Sequence, residues 1–267
     1  MKIGMMNSKF KSIVAATKVV AMCFCAGALL CCGCRQRDIH TENTIELNGV
    51  SLFYAVDGPS DGRPIVLVHG NGGSHHSLDS LSAGLQSRGY LVYGLDSRGQ
   101  GANEALAEYH YKDMAEDVCQ FIAAMGLERP ALFGHSDGGI IGLELELMHP
   151  GTVSALAAAG ANIFPMGVGE QRLAAWKAEV DSTGSALTRM MVEEPQIDTM
   201  DLHSISVPVL ITAGEDDVIL EEHTRLIASH IPGSELVILD GEGHSSYIKH
   251  GTKMLDLLTD FLERRVK

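Results

Sequence analysis

Short apolar runs recur along the chain with polar or helix-patterned stretches between them. Residues 65–68, 91–95, 131–133, 153–156, 208–211 and 235–239 are nearly continuous in Val, Leu, Ile, Phe and Ala rather than alternating. Continuous runs of this length are the signature of strands buried on both faces, as in a mainly parallel sheet. Apolar residues at helical spacing fill residues 77–87, 111–125, 139–149, 221–230 and 247–264. Strands alternating with helices predict an α/β fold, a doubly wound sheet with right-handed crossovers. Ahead of it, two strand-like stretches at 44–47 and 50–54 flank Asn48 and Gly49, a strong hairpin signal.

One segment breaks the alternation. Residues 162–202 contain no strand pattern but two helix-like stretches, 170–180 and 185–193, and carry Met166, Trp176, Met190, Met191 and Met200. The expectation is a small helical lid inserted between two parts of one core, 44–161 and 203–267. Methionines adapt to irregular apolar space, so Trp176 and Met190 are candidate substrate-binding residues.

The N-terminus has a different character. Lys2, Lys9, Lys11 and Lys18 precede an apolar run at 19–30, which ends in Cys31, Cys32, Gly33 and Cys34. Basic, then apolar, then small residues before a cysteine predict an export signal over 1–33 of the bacterial lipoprotein type. Cys34 would be the lipidated residue and 34–43 a polar tether. A plain signal peptide or an uncleaved anchor is the alternative, because Cys31 stands where an aliphatic residue is usual. Five of the six cysteines lie in or at the end of this leader. Only Cys119 remains beyond it, so the exported domain has no internal disulfide to form.

Charge narrows the partners. The chain carries 20 basic and 34 acidic residues, and the leader holds four of the lysines and no acid. The remainder is strongly acidic and repels nucleic acid phosphates and anionic lipid head groups. The expected partner is a small acyl molecule, with membrane attachment only through Cys34. No H-E-x-x-H, paired C-x-x-C or G-x-G-x-x-G after a strand occurs beyond the leader. Neither a metal nor a nucleotide cofactor is therefore predicted.

The chemistry concentrates at Gly134, His135, Ser136, Asp137 and Gly138. This G-x-S-x-G follows a strand-like run and opens a helix-like one. That is the setting of a nucleophile elbow, whose glycines let strand and helix close around the turn. A serine hydroxyl needs a general base, and the base needs an acid to orient it. Both should lie at carboxyl ends of strands, where open α/β sheets carry their sites. His244, in the loop after the run at 235–239, is the base expected. His69 competes but suits a structural donor, His75 and His76 lie near the same loop, and His135 should point away from its neighbour Ser136. After the run at 208–211 come Glu215, Asp216 and Asp217. Asp217 is favoured because Gly214 allows a turn back toward the histidine, and Asp216 is its rival. Glu144 and Glu146 are read as a solvated stripe on the elbow helix.

Taken together these features resemble an α/β-hydrolase fold enzyme, over nearly all of the chain from residue 45. The order Ser136, Asp217, His244 is that family's. His69 to Gly73 resembles its oxyanion loop, and Asp96 to Gly101 its structural turn after the next strand. The resemblance implies an oxyanion hole made by the backbone amides of Asn71 and Asp137. Ser136 argues against the dehalogenases and epoxide hydrolases of this fold, which use aspartate at the elbow. A finer resemblance, to valacyclovirase-type (biphenyl hydrolase-like) enzymes, rests on Gly134 to Gly139 with Gly160, Ala161 and Asn162. It implies that Asp137 binds the α-amino group of an amino-acid ester; the competing reading is a carboxylate that caps the elbow helix. The function expected is serine hydrolysis of an ester or related acyl bond. Aminoacyl-ester or peptide hydrolysis, C–C, lactone or thioester cleavage, cofactor-free peroxidation, and ligand binding without catalysis are the alternatives.

Overall fold

The computed structural model describes residues 38–250 and 252–266; the leader and Cys34 lie outside the described residues. The described chain forms a single eight-stranded sheet in the order β1-β2-β4-β3-β5-β6-β7-β8. Its strands are β1 (Asp38–Leu47), β2 (Val50–Pro59), β3 (Arg63–Val68), β4 (Tyr90–Leu95), β5 (Ala131–His135), β6 (Ala155–Ala159), β7 (Val209–Asp216) and β8 (Glu235–Gly243). The β1–β2 and β2–β4 pairings are antiparallel, and the rest are parallel. Asn48 and Gly49 both take positive φ, 49° and 77°, as a two-residue hairpin turn of this twist requires.

Successive residues of each strand serve opposite faces. Val66 and Val68 pack on one side with helices α2 (Tyr111–Ala124) and α3 (Asp137–Met148) and with α6 (Glu221–His230). Ile65 and Leu67 pack on the other with α1 (Asp79–Ser87), α7 (Ser246–Lys249) and α8 (Lys253–Arg265). The continuous apolar runs are continuous because two cores, not one, need filling.

The structure departs from the pattern in four places. Strand β1 begins at Asp38, so residues 38–43 pair with β2 instead of forming a tether. Strand β6 is displaced to Ala155–Ala159; four alanines look helical in isolation, but small side chains suit a strand sandwiched between two helix layers. The predicted helix 247–264 is two helices, with His250 extended at the end of the first. Glu144 and Glu146 are buried, 4% and 0% exposed. Glu146 accepts the amides of Gly151 and Val153 at 2.8 and 3.0 Å and so shapes the entry to β6. Burial pushes the Glu144 carboxyl up.

No strand lies between Ala159 and Val209; the interval holds α4 (Glu170–Thr183), α5 (Ala186–Glu193) and short 3-10 turns. Among the described residues no helix is long and apolar enough to cross a membrane.

Candidate active site

Ser136 sits between β5 and α3 at φ 55° and ψ −116°, a conformation that L-residues adopt only under constraint. Both flanking glycines are forced. A Cβ on Gly134 would lie 2.0 Å from the Gly138 carbonyl oxygen, and one on Gly138 would lie 2.1 Å from that of Val68 on β3. The Ser136 amide donates to Ala159 O at 2.7 Å, tying the turn to the end of β6.

His244 follows β8 and Asp217 follows β7, so both reach the same carboxyl edge as the serine. The His244 Nε2 lies 2.9 Å from Ser136 Oγ, and its Nδ1 lies 2.6 Å from Asp217 Oδ1. Asp217 also accepts the amides of Ile219 (3.0 Å) and Gly214 (3.3 Å). Burial pushes the Asp217 carboxyl up, but the His244 ring and these amides outweigh it and hold it below the usual carboxylate range. Asp216 is exposed and its neighbour Glu215 accepts the Gly241 amide, so neither reaches the histidine. Gly214 stands at the turn expected, its carbonyl oxygen accepting the Asp217 amide at 3.3 Å, and it has a second use. Its φ is not positive; a Cβ there would lie 2.1 Å from Glu242 O, so it admits β8 at close range.

Two further residues hold this arrangement and escaped the sequence pattern. Gly160, at φ 63°, leaves room for the pair: a Cβ would lie 2.9 Å from His244 Cε1 and 3.4 Å from Asp217 Oδ2. His135 reaches the His244 backbone oxygen through Nε2 at 2.8 Å. Burial drives its pKa down to about 4, so at neutral pH it is an uncharged donor that pins the loop. The signal for Gly160 was present in its position, one residue beyond a strand at the ligand-facing edge. Nothing local marked His135.

His69 is the structural residue expected. Its Nδ1 donates to Gly70 O at 2.7 Å and its Nε2 accepts the Ser97 amide at 3.0 Å. Asp96 accepts the amides of His75 and Ala102, and Arg98 pairs with Asp117 at 2.6 Å. This turn is structural throughout. The Asn71 amide takes no part in the backbone hydrogen bonds of its loop, and that of Asp137, first in α3, has no intrahelical acceptor. Asn71, Ser136, Asp137 and His244 all line a cavity of about 540 Å³.

The segment 162–202 contributes Asn162, Trp176 and Met191 to the same cavity. Met190, expected there, is instead 3% exposed within the main core. Successive residues of a helix lie about 100° apart, so Met190 meets the core while its neighbour Met191 reaches the cavity. The Asp137 carboxylate is 4% exposed and bonded to Asn71 and Tyr111. Among the described residues, no cluster of three or more His, Cys, Asp or Glu side chains is placed to hold a metal ion.

Residues 63–182 match the model of the alpha/beta hydrolase fold family. The chain is an α/β-hydrolase fold enzyme. This hydrolase is 29% identical over 256 residues to a protein of Variovorax paradoxus provisionally named as the carbamate hydrolase RutD, covering 80% of the chain and 96% of that protein. It is 27% identical to the AB hydrolase superfamily protein YisY of Bacillus subtilis, over 79% of the chain and 95% of the relative. Among solved structures, the enol-lactonase of Burkholderia xenovorans superposes with a TM-score of 0.69 at 21% identity, over 83% of this chain and all of that one. At that identity the superposition speaks for the fold alone.

Proposed function

We propose that this hydrolase cleaves a carboxylic ester, or a related acyl bond, of a small molecule through a covalent acyl-serine. The observation that carries the reading is the continuous contact Asp217–His244–Ser136, at 2.6 and 2.9 Å, opening on a cavity. Ser136 Oγ attacks the carbonyl carbon while His244 Nε2 takes its proton. Asp217 holds the Nδ1–H, fixes the tautomer and stabilises the imidazolium. The amides of Asn71 and Asp137 receive the oxyanion, and such a donor lowers the barrier by about 3–4 kcal/mol. His244 then returns the proton to the leaving alcohol. Water, deprotonated by His244, attacks the acyl carbon, and His244 passes that proton to Ser136 Oγ as the acyl–oxygen bond breaks and the acid leaves. Carbamates and lactones, the groups in the names of RutD and the enol-lactonase, present a carbonyl to the same nucleophile.

The test is covalent labelling. A fluorophosphonate probe is expected to mark the wild type on one serine and to leave Ser136→Ala unmarked; labelling that persists in Ser136→Ala overturns the reading. A panel of esters, carbamates and lactones then ranks the acyl groups the cavity admits. We further propose export with lipid attachment at Cys34, supported by the basic, apolar and Gly33-Cys34 succession. Incorporation of a labelled fatty acid that is lost in Cys34→Ser is the expected result.

A further inference from the structure

Asp137 follows the nucleophile directly, is buried, and has each carboxylate oxygen occupied. Oδ1 accepts the Tyr111 hydroxyl at 2.9 Å and Oδ2 accepts Asn71 Nδ2 at 2.9 Å. Tyr111 is itself 1% exposed and opens α2. Its amide donates to Glu194 Oε2 at 3.1 Å, and the other oxygen of Glu194 lies 2.6 Å from His110 Nδ1. Glu194 is the residue at which α5 ends. An unbroken line of hydrogen bonds therefore runs from the end of α5, through Tyr111 and Asp137, to the side chain of Asn71. The far side of the Asn71 loop is held separately, by Gly72 N to Gln100 Oε1 at 2.7 Å.

Resting on the reading of Ser136 as nucleophile, we propose that the Asp137 carboxylate and Tyr111 are positioning residues. They strap the Asn71 side chain so that its backbone amide faces the developing oxyanion. The carboxylate is not a receptor for a substrate ammonium group. A strap of this kind acts where charge develops on the carbonyl oxygen, so its loss falls on kcat and not on KM. Burial pushes the Asp137 carboxyl up to about 6, against the Asn71 and Tyr111 hydrogen bonds, which lower it. The charge of the His244 ring also lowers it. A buried acid held between two side-chain donors has its orientation set by the protein.

The prediction separates isosteric from truncating variants. Asp137→Asn keeps an acceptor for Asn71 and can donate to the Tyr111 oxygen, which accepts as readily as it donates. Asp137→Ala and Asn71→Ala cut the strap. On p-nitrophenyl butyrate both truncations are expected to lower kcat about 10- to 100-fold with KM within about threefold, and Asp137→Asn to recover to within about fivefold of wild type. An alkyl boronic acid, which mimics the tetrahedral adduct, should lose affinity in parallel with kcat. The double variant Asn71→Ala/Asp137→Ala should be no worse than either single one. Asn71 is only half-buried and its truncation leaves the core intact, so it keeps the test informative if Asp137→Ala does not fold. Unchanged kcat in Asn71→Ala overturns the strap. So does a wild-type preference for the alanyl over the propionyl p-nitrophenyl ester that vanishes in Asp137→Asn, because that identifies an ammonium receptor. Absence of fluorophosphonate labelling in the wild type strikes the nucleophile reading itself, and labelling with unmoved kcat strikes the strap alone.

Discussion

The carboxyl edge of the sheet and the segment that covers it are built to different tolerances. At the edge, backbone meets backbone: Gly134, Gly138 and Gly214 each admit a carbonyl oxygen within about 2 Å of where a Cβ would stand. Nothing there can shift without moving a strand. The covering segment rests partly on a small apolar cluster of Val168, Leu173 and Ile219, joined by Trp176, Val192 and Val218, and partly on the main core through Ile163, Met190, Ile197 and Leu202. It is latched by single hydrogen bonds, such as Ile163 N to His223 Nε2 at 2.9 Å. The contrast teaches that the reacting atoms rest mainly on the sheet edge and the selecting wall mainly on side-chain packing, the two joined through the Glu194, Tyr111 and Asp137 hydrogen bonds.

Substitutions can break that division or sharpen it. The largest effect belongs to Ser136→Ala, expected to lower kcat on any accepted substrate by about 10⁴-fold or more with the fold intact by circular dichroism. Next is Gly138→Ala, whose methyl collides with Val68 O; urea unfolding should register a loss of about 3 kcal/mol. The neighbours Met190 and Met191 then give a paired test within one helix. Met190→Ala should cost about 2–3 kcal/mol of stability while sparing KM. Met191→Ala should spare stability and move KM severalfold. Equal effects of the two on KM would show that the wall and the core are one unit.

The smallest effect is set by pH. His223 is 6% exposed, and burial drives its pKa down to about 4. Its folded pKa is depressed below the unfolded value of about 6.5, so the neutral ring stabilises fully above pH 6.5. That contribution is lost as pH falls from 6.5 toward 4, by about 2 kcal/mol at pH 5. His135 behaves alike at the sheet edge. His223→Gln, which keeps an acceptor for the Ile163 amide, should remove about half of the loss these two histidines cause between pH 7 and 5. Urea midpoints at the two pH values measure it, and an unaltered difference would disconnect the latch from acid sensitivity.

The parts legible in the sequence are those with short-range causes. The Asn48-Gly49 turn, the doubly buried runs and the G-x-S-x-G glycines each answer a local steric demand that the residue type announces. The placement of Asp217 and His244 was readable because a parallel sheet brings every strand's carboxyl end to one edge. What escaped depends on partners distant in the chain. Glu146 looks solvent-directed until β6 is in place to supply amides, and His135 has no visible task until the His244 loop crosses it. Met190 and Met191 differ only by which side of α5 meets the core. A helix of eight residues leaves that phase open.

The bend at Ser136 has a meaning beyond geometry. Glycine would occupy φ 55°, ψ −116° with ease, and any other residue is held uphill for as long as the molecule stays folded. The same constraint that strains the backbone holds the Ser136 hydroxyl at the mouth of the cavity.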